Sequence, residues 1–256
     1  MLYGEERKIK ILEYVQQHSR ASVQELCQSF EVSEATIRRD LKELEEAKLL
    51  RRTHGGAVSL QSVNFEPTFV EKEDKFLKEK QAIARKAIEF IEEGDTILLD
   101  SGTTTLHLAK ELKPLTRLTM VTNSIMIAHE LEGVPGIEVM MIGGTLRRET
   151  LALVGPLAEQ ALNMIRVDKA FVAINGLDIT EGLTTPNLLE AATKRKMIQS
   201  AKTVFLLADH SKVGKVAFAK VAEVQEIDKC ISDNAMPVSV INQLEKLGVD
   251  VYTVNP

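Results

Sequence analysis

Only two cysteines, Cys27 and Cys230, occur in the 256 residues, far apart and without CxxC spacing. That argues against a disulfide framework or a thiolate zinc site, and a reducing cytoplasm is the expected home. Long hydrophobic runs are missing as well. The longest, Ala170 to Ile174 and Val204 to Ala208, have five residues, against the roughly 18 that a spanning helix needs. No membrane crossing is expected. The opening Met-Leu-Tyr-Gly-Glu-Glu-Arg carries early charge and no apolar segment, so no secretory signal is expected either. GxSxG, the Walker lysine loop, HExxH and the dinucleotide GxGxxG are absent, and His18, His54, His107 and His129 fall in no metal-ligand spacing. Neither a metal nor a cofactor is implied. What is present is globular composition, 44% hydrophobic and 27% charged, in a chain long enough for about two domains. The net charge of −5 argues against a surface basic all round, but charge is local and leaves room for a small nucleic-acid-reading module.

The first sixty residues read as three helices and a hairpin. From Glu5 to His18, Ile9, Leu12 and Val15, with Ile11 alongside, follow helical spacing. Ser22 caps a second helix, Val23 to Phe30, with Glu25 as its capping-box partner and Val23, Leu26 and Phe30 on the buried side. Ser33 caps a third, Glu34 to about Ala47, which buries Ile37, Leu41 and Leu44. Its opposite face carries Ala35, Arg39 and Lys42, flanked by Thr36 and Arg38. Then Leu49 to Val58 reads as a hairpin, with Gly55-Gly56 expected to supply positive φ at its turn and Arg51, Arg52 and His54 on its arms. Together these describe a winged helix-turn-helix. Arginines on a helix are most often a solvated face, but in this context they suit the major groove, with the wing on the backbone. Residues 1–60 hold ten Lys/Arg and ten Asp/Glu, so binding must be one-sided, with Glu43, Glu45 and Glu46 turned away or distal.

Residues 61–80, with Pro67 and the run Glu71 to Lys75, read as a linker ending in a solvated helix start, which leaves 81–256 as a second domain. There the pattern changes to short continuous apolar strands, Thr96–Asp100, Leu118–Thr122, Ile137–Ile142, Ala170–Ile174, Val204–Ala208, Lys229–Ser232 and Val249–Val254, separated by helical stretches. Such alternation predicts an α/β domain with a buried, mostly parallel sheet. The strand ending at Asp100 runs into Ser101-Gly102-Thr103-Thr104-Thr105 and a helix, a ready anion site, though an ordinary capped turn reads the same way. Thr122-Asn123-Ser124 and Gly143-Gly144, followed by Arg147, end the next two strands; such ends are where open α/β sheets bind ligands. Asn175, then Asp209 and Lys212 with His210 between them, close two later strands, while Glu190 and Lys194, four apart, read by default as a surface helix pair.

The ordered set Ser33-Glu34-Ala35-Thr36-Ile37-Arg38-Arg39-Asp40-Leu41, Arg52-Thr53-His54-Gly55-Gly56-Ala57, Asp100-Ser101-Gly102-Thr103-Thr104, Thr122-Asn123-Ser124, Gly143-Gly144-Thr145-Leu146-Arg147, Val154-Gly155-Pro156, Asn175-Gly176, Gly182-Leu183-Thr184-Thr185-Pro186 and Asp209-His210-Ser211-Lys212 resembles the DeoR-type bacterial sugar-metabolism repressors over nearly the whole chain. The resemblance implies an N-terminal winged helix that binds operator double-stranded DNA and a C-terminal sensor that binds a phosphorylated sugar and usually releases repression. It also implies a sensor fold similar to sugar-phosphate isomerases such as ribose-5-phosphate isomerase. In those enzymes an Asp-Gly-Ala-Asp-Glu-like turn helps supply acids for proton transfer; the matching stretch here, Ile174-Asn175-Gly176-Leu177-Asp178, has an amide first. A sugar-phosphate isomerase fused to a DNA-binding domain is the rival reading, since Asp178 and Glu190 remain.

The expected DNA-facing set is therefore Ser33, Ala35, Thr36, Arg38, Arg39 and Lys42, with Arg51, Arg52 and His54 on the wing. For the effector, Asp100, Ser101, Gly102, Thr103, Thr104 and Thr105 are expected around the phosphate, with Thr122, Asn123, Ser124 and Gly144 lining the cleft. Arg147 is the expected charge partner, and Asn175, Glu190, Lys194, Asp209 and Lys212 bind or close over the sugar, fructose 1-phosphate being one candidate. Two-fold operators favour dimeric readers, so a homodimer or homotetramer is expected.

Overall fold

A computed structural model describes residues 4–18, 20–47, 49–59, 66–113, 115 and 117–256. The chain divides into two units, Met1–Phe65 and Glu66–Pro256. In the first, α1 (Gly4–His18), β1 (Arg20–Ser22), α2 (Val23–Phe30), α3 (Glu34–Glu46), β2 (Leu50–Thr53) and β3 (Gly56–Ser59) follow in order. The three strands form an antiparallel sheet in the order β1-β3-β2. Both serine caps form: Ser22 makes a full capping box with Glu25, and Ser33 accepts from the Thr36 amide. Ile11, Val15, Val23, Leu26, Ile37, Leu41, Leu44 and Leu50 make the core.

Two expectations for this unit are corrected. Ile9 is 58% exposed, because at 100° per residue it points nearly opposite Ile11; the buried face of α1 is instead Arg7, Ile11 and Val15. Arg7 is buried because it forks onto Asp40 of α3, Nε to Oδ2 at 2.6 Å and Nη2 to Oδ1 at 3.1 Å. Gly55 and Gly56 do not adopt positive φ. Thr53 pairs with Gly56 across a His54-Gly55 turn, and Gly56 is required for close approach: a Cβ there would lie 2.0 Å from the Ala21 carbonyl oxygen of β1. The extra strand β1, not foreseen, creates that demand.

The second unit begins with α4 (Phe69–Glu73) and α5 (Leu77–Ala87), so much of the expected linker 61–80 is helical, and Phe69 is buried in the core of this unit; residues 60–65 lie outside the described ones. The rest runs β4 (Thr96–Leu99), α6 (Thr103–Glu111), β5 (Leu118–Thr122), α7 (Ile125–Leu131), β6 (Ile137–Met141), β7 (Thr145–Arg147), β8 (Ala152–Val154), α8 (Pro156–Asn163), β9 (Val167–Val172), β10 (Gly176–Asp178), β11 (Gly182–Thr185), α9 (Leu188–Ser200), β12 (Ala201–Leu207), β13 (Ala219–Ala222), β14 (Lys229–Asp233), α10 (Val238–Lys246) and β15 (Asp250–Val254). Seven strands form one parallel sheet in the order β15-β14-β12-β9-β4-β5-β6. Alternation sorts its side chains: Ile97, Leu99, Phe171, Phe205 and Leu207 face α5, α6 and α7, while Leu98, Ala170, Val172, Val204 and Leu206 face α8, α9 and α10. Both faces being buried explains why these strands read as unbroken apolar runs. The small antiparallel pieces β7-β8 and β10-β11-β13, not foreseen, decorate the carboxyl side of the sheet.

Successive crossovers carry the chain from β4 outward to β6, and from β9 outward the other way to β15. The order thus reverses between β4 and β9, and the carboxyl ends flanking that point form the crevice where such sheets place ligands.

Candidate functional site

In the first unit, Ala35, Arg39 and Lys42 are exposed on the face of α3 opposite its core residues, Arg38 is exposed on its flank and Ser33 at its cap, and Thr36 is half-buried, its hydroxyl 2.9 Å from that of Ser33. Arg52 and His54 are exposed on the β2-β3 wing, and Arg51 is half-buried. The acids do not all stand aside as expected. Glu43 pairs with Lys8 of α1, but Glu46 lies 3.7 Å from Lys42, Glu34 3.2 Å from Arg38, and Glu45 accepts from both the amide and Nε of Arg52 at 2.9 and 2.7 Å. Arg39 makes no ion pair within 4 Å among the described residues. Exposed pairs of this kind are worth about 0–1 kcal/mol, so an approaching phosphate can take the cation over.

In the second unit the effector candidates converge at the carboxyl edge. Asp100, fully buried at the end of β4, accepts from the amides of Ser101 at 2.8 Å and Ala173 at 3.0 Å and from Lys194 Nζ. Lys194 also donates to the Ala173 carbonyl at 3.0 Å, tying α9 across the switch point. Gly102 starts α6 without a side-chain cap, so the first amides of that helix have no intrahelical acceptor. Thr105 is spent internally on the carbonyls of Asp100 (2.5 Å) and Gly102 (3.0 Å), whereas the hydroxyls of Thr103 and Thr104 have no partner among the described residues. Thr122 donates to the Leu99 carbonyl at 2.7 Å and Ser124 caps α7, which makes both part of the frame. Asn123 donates to the Leu153 carbonyl at 3.2 Å and leaves its own buried Oδ1 without a hydrogen bond. Gly144 has φ +140°, and a Cβ there would meet the Val154 carbonyl oxygen at 2.7 Å.

Glu190 and Lys194 are not a surface pair. Both are buried and turn to different partners, Lys194 to Asp100 and Glu190 to Thr150 Oγ1, Thr185 Oγ1 at 3.2 Å and Arg147 Nη1 at 3.4 Å. The Thr185 hydroxyl lies 3.0 Å from Asn175 Oδ1 as well, which brings Asn175 into the same group. Arg147 is ringed by acids: Glu66 at 2.5 Å, Glu190 at 3.4 Å and Glu149 at 3.5 Å. Burial opposes its charge, but Glu66 and Glu190 outweigh that and raise its pKa. Asp209 is fully buried, with Lys212 3.7 Å from its Oδ2; His210 binds Asp233 at 2.8 Å through its ring.

Sequence reasoning missed Glu66, Lys72 and Lys80. Burial pushes the Glu66 carboxyl up, and the charge of Glu190 adds to it, against the pull of Arg147. Burial lowers the Lys72 ammonium; Glu190 and Glu66 oppose that, while Lys194 and Lys212 add to it. Lys80, buried and donating to the carbonyls of Lys72 and Glu73, is pushed down to about 8 by burial and then by Lys212. The available signal was the charged run after Pro67, which reads equally well as solvated. A depression of about 400 Å³ beside Gly94, Arg117, Gly136 and Glu138 lies at the opposite, amino edge of the sheet and touches none of these groups.

Residues 7–63 match the DeoR-like helix-turn-helix domain and residues 75–234 the DeoR C terminal sensor domain. The chain is 43% identical to the HTH-type transcriptional regulator GlpR of Haloferax volcanii over 96% of both chains. It is 37% identical to the HTH-type transcriptional repressor GlcR of Bacillus subtilis, over 98% of this chain and 96% of that one. Among solved structures it is similar to ribose 5-phosphate isomerase A from Methanocaldococcus jannaschii, with 18% identity and TM-score 0.40 over 54% of this chain and 55% of that one. A helix-turn-helix unit followed by an α/β sensor defines a DNA-binding transcriptional regulator with an effector-sensing domain. The chain belongs to the DeoR family.

Proposed function

We propose that this regulator represses a carbohydrate-utilisation operon from the cytoplasm, as a homodimer or homotetramer, and that a phosphorylated sugar such as fructose 1-phosphate controls its operator affinity. Thr36, Arg38, Arg39 and Lys42 face the major groove from the α3 cap at Ser33, past Ala35, and Arg51, Arg52 and His54 contact backbone from the wing. The phosphate sits on Ser101 to Thr105, over the free first amides of α6, with Arg147 as its charge partner. Asn123, Gly144, Asn175, Glu190, Lys194, Asp209 and Lys212 surround the sugar, while Asp100, Thr122 and Ser124 hold the loops in place.

The observation that carries binding without turnover is how the carboxylates are employed. An isomerase needs one free to move a proton between adjacent carbons. Asn175 supplies an amide. Asp178 Oδ1 accepts from the amides of Thr180 and Glu181 at 2.9 and 3.0 Å, which spends it on the β10-β11 turn. Both oxygens of Glu190 already accept from hydroxyls, Oε1 from Thr150 and Oε2 from Thr185 at 3.2 Å, so both are engaged within the protein. Calorimetry with a panel of hexose and pentose phosphates, beside an isomerase assay on the same preparation, tests the reading. Saturable binding without aldose–ketose conversion is expected, lost in Arg147→Gln. Steady turnover that disappears in Glu190→Gln would establish the enzyme instead.

A further inference from the structure

Arg147 stands among carboxylates, although its Nη1 makes no hydrogen bond. Its guanidinium already holds Glu66 at 2.5 Å and Glu190 at 3.4 Å, with Glu149 at 3.5 Å. A phosphate group would bring further negative charge against two largely buried carboxylates, so one of them must leave. Glu190 is fixed from three sides by Thr150, Thr185 and its own helix, whose cap Asn187 also binds its amide at 3.2 Å. Glu66 stands before the first helix of the sensor unit, on residues 66–68 outside regular secondary structure.

Resting on the phosphosugar reading above, we propose that residues 66–72 form a strap over the effector site, in which the Glu66 carboxylate stands in for the effector's anionic group on Arg147. A phosphorylated effector binds by displacing Glu66 and takes Lys72 as a further cation. The strap is anchored beyond Glu66. Its far end is fastened: Phe69 is buried, its amide donates to the Glu149 carbonyl at 2.7 Å, and Lys80 holds the carbonyls of Lys72 and Glu73. Between the ends, Thr68 and Glu71 form a capping box that keeps the first turn of α4 intact. Lys72, half-buried, lies within the electrostatic reach of Glu66, Glu190, Lys194 and Lys212, which places its charge with the site rather than in open solvent. Glu66 is also the first residue of the sensor unit after the chain leaves the DNA-binding unit.

The test uses the full chain, with inorganic phosphate and fructose 1-phosphate as probes. Removing an internal competitor raises the binding-competent fraction, so Glu66→Gln should bind inorganic phosphate on the order of tenfold more tightly than wild type. Lys72→Met should weaken fructose 1-phosphate and leave any binding of fructose unaltered. Hydrogen exchange on the wild-type chain gives a readout independent of any variant: saturation should speed exchange of the Glu66 amide while slowing that of 101–106. Protection at 101–106 with the Glu66 amide unchanged, together with wild-type phosphate affinity in Glu66→Gln, would overturn the strap and leave the sensor reading standing. Failure of both wild type and Glu66→Gln to bind either probe would overturn both.

Discussion

Single buried groups set the conditions under which the sensor unit holds together. His107 on α6 is 8% exposed, and burial, with Lys110 and Lys80 adding to it, lowers its pKa from 6.5 to about 4. A base whose pKa is depressed on folding contributes stability that is present above its unfolded pKa and lost as pH falls through 6.5 towards 4. Between pH 7 and pH 5 this single group should remove about 2 kcal/mol from the unfolding free energy of the sensor unit. Urea unfolding of wild type and His107→Leu at the two pH values checks this; an equal acid loss in both would assign it elsewhere. The sequence showed that His107 follows a strand-to-helix turn, but the environment that neutralises it comes from residues distant in the chain. The same holds for Arg7 and Asp40, 33 positions apart, whose pairing no local pattern announces.

At the scale of elements, α3 and the wing are divided by how their cations are held. Arg39 makes no ion pair among the described residues, whereas Arg52 is gripped at its amide and side chain by Glu45. If α3 reads bases, Arg39→Ala should cost about 1–3 kcal/mol and relax specificity at one operator position. Arg52→Ala should instead weaken all duplexes alike and flatten the salt dependence. Gel-shift titrations on cognate and scrambled duplexes at several salt concentrations distinguish the two, and equal, sequence-independent losses would remove Arg39 from base reading. Elements with strong local signals were legible: the serine-capped helices α2 and α3, and strands such as β4, β9 and β12 whose double burial makes them continuous apolar runs. Elements made by tertiary pairing were not. β1 is three residues long and exists because β3 docks on it, and α4 looked like solvated linker because its burial rests largely on Phe69. Around the candidate site, Asp100 was legible from its place at a strand end, while the burial of Glu190 and Lys194, which read as a surface pair, and of Glu66, in that same supposed linker, comes from tertiary packing.

Across the full chain, a DNA-reading unit and a sensor unit that regulate one operator must share one free-energy balance. An effector changes operator affinity only through its different affinity for the DNA-competent and released states, and the exchange is reciprocal. The proposed displacement of Glu66 from Arg147 would supply a physical difference between those states. The most direct measurement is operator affinity with and without saturating sugar phosphate, by fluorescence anisotropy, set beside calorimetric sugar-phosphate affinity with and without operator. Both affinities should weaken by one common factor, of the order of 5–150 as coupled sites usually show. Operator affinity indifferent to every sugar phosphate that the protein demonstrably binds would contradict it.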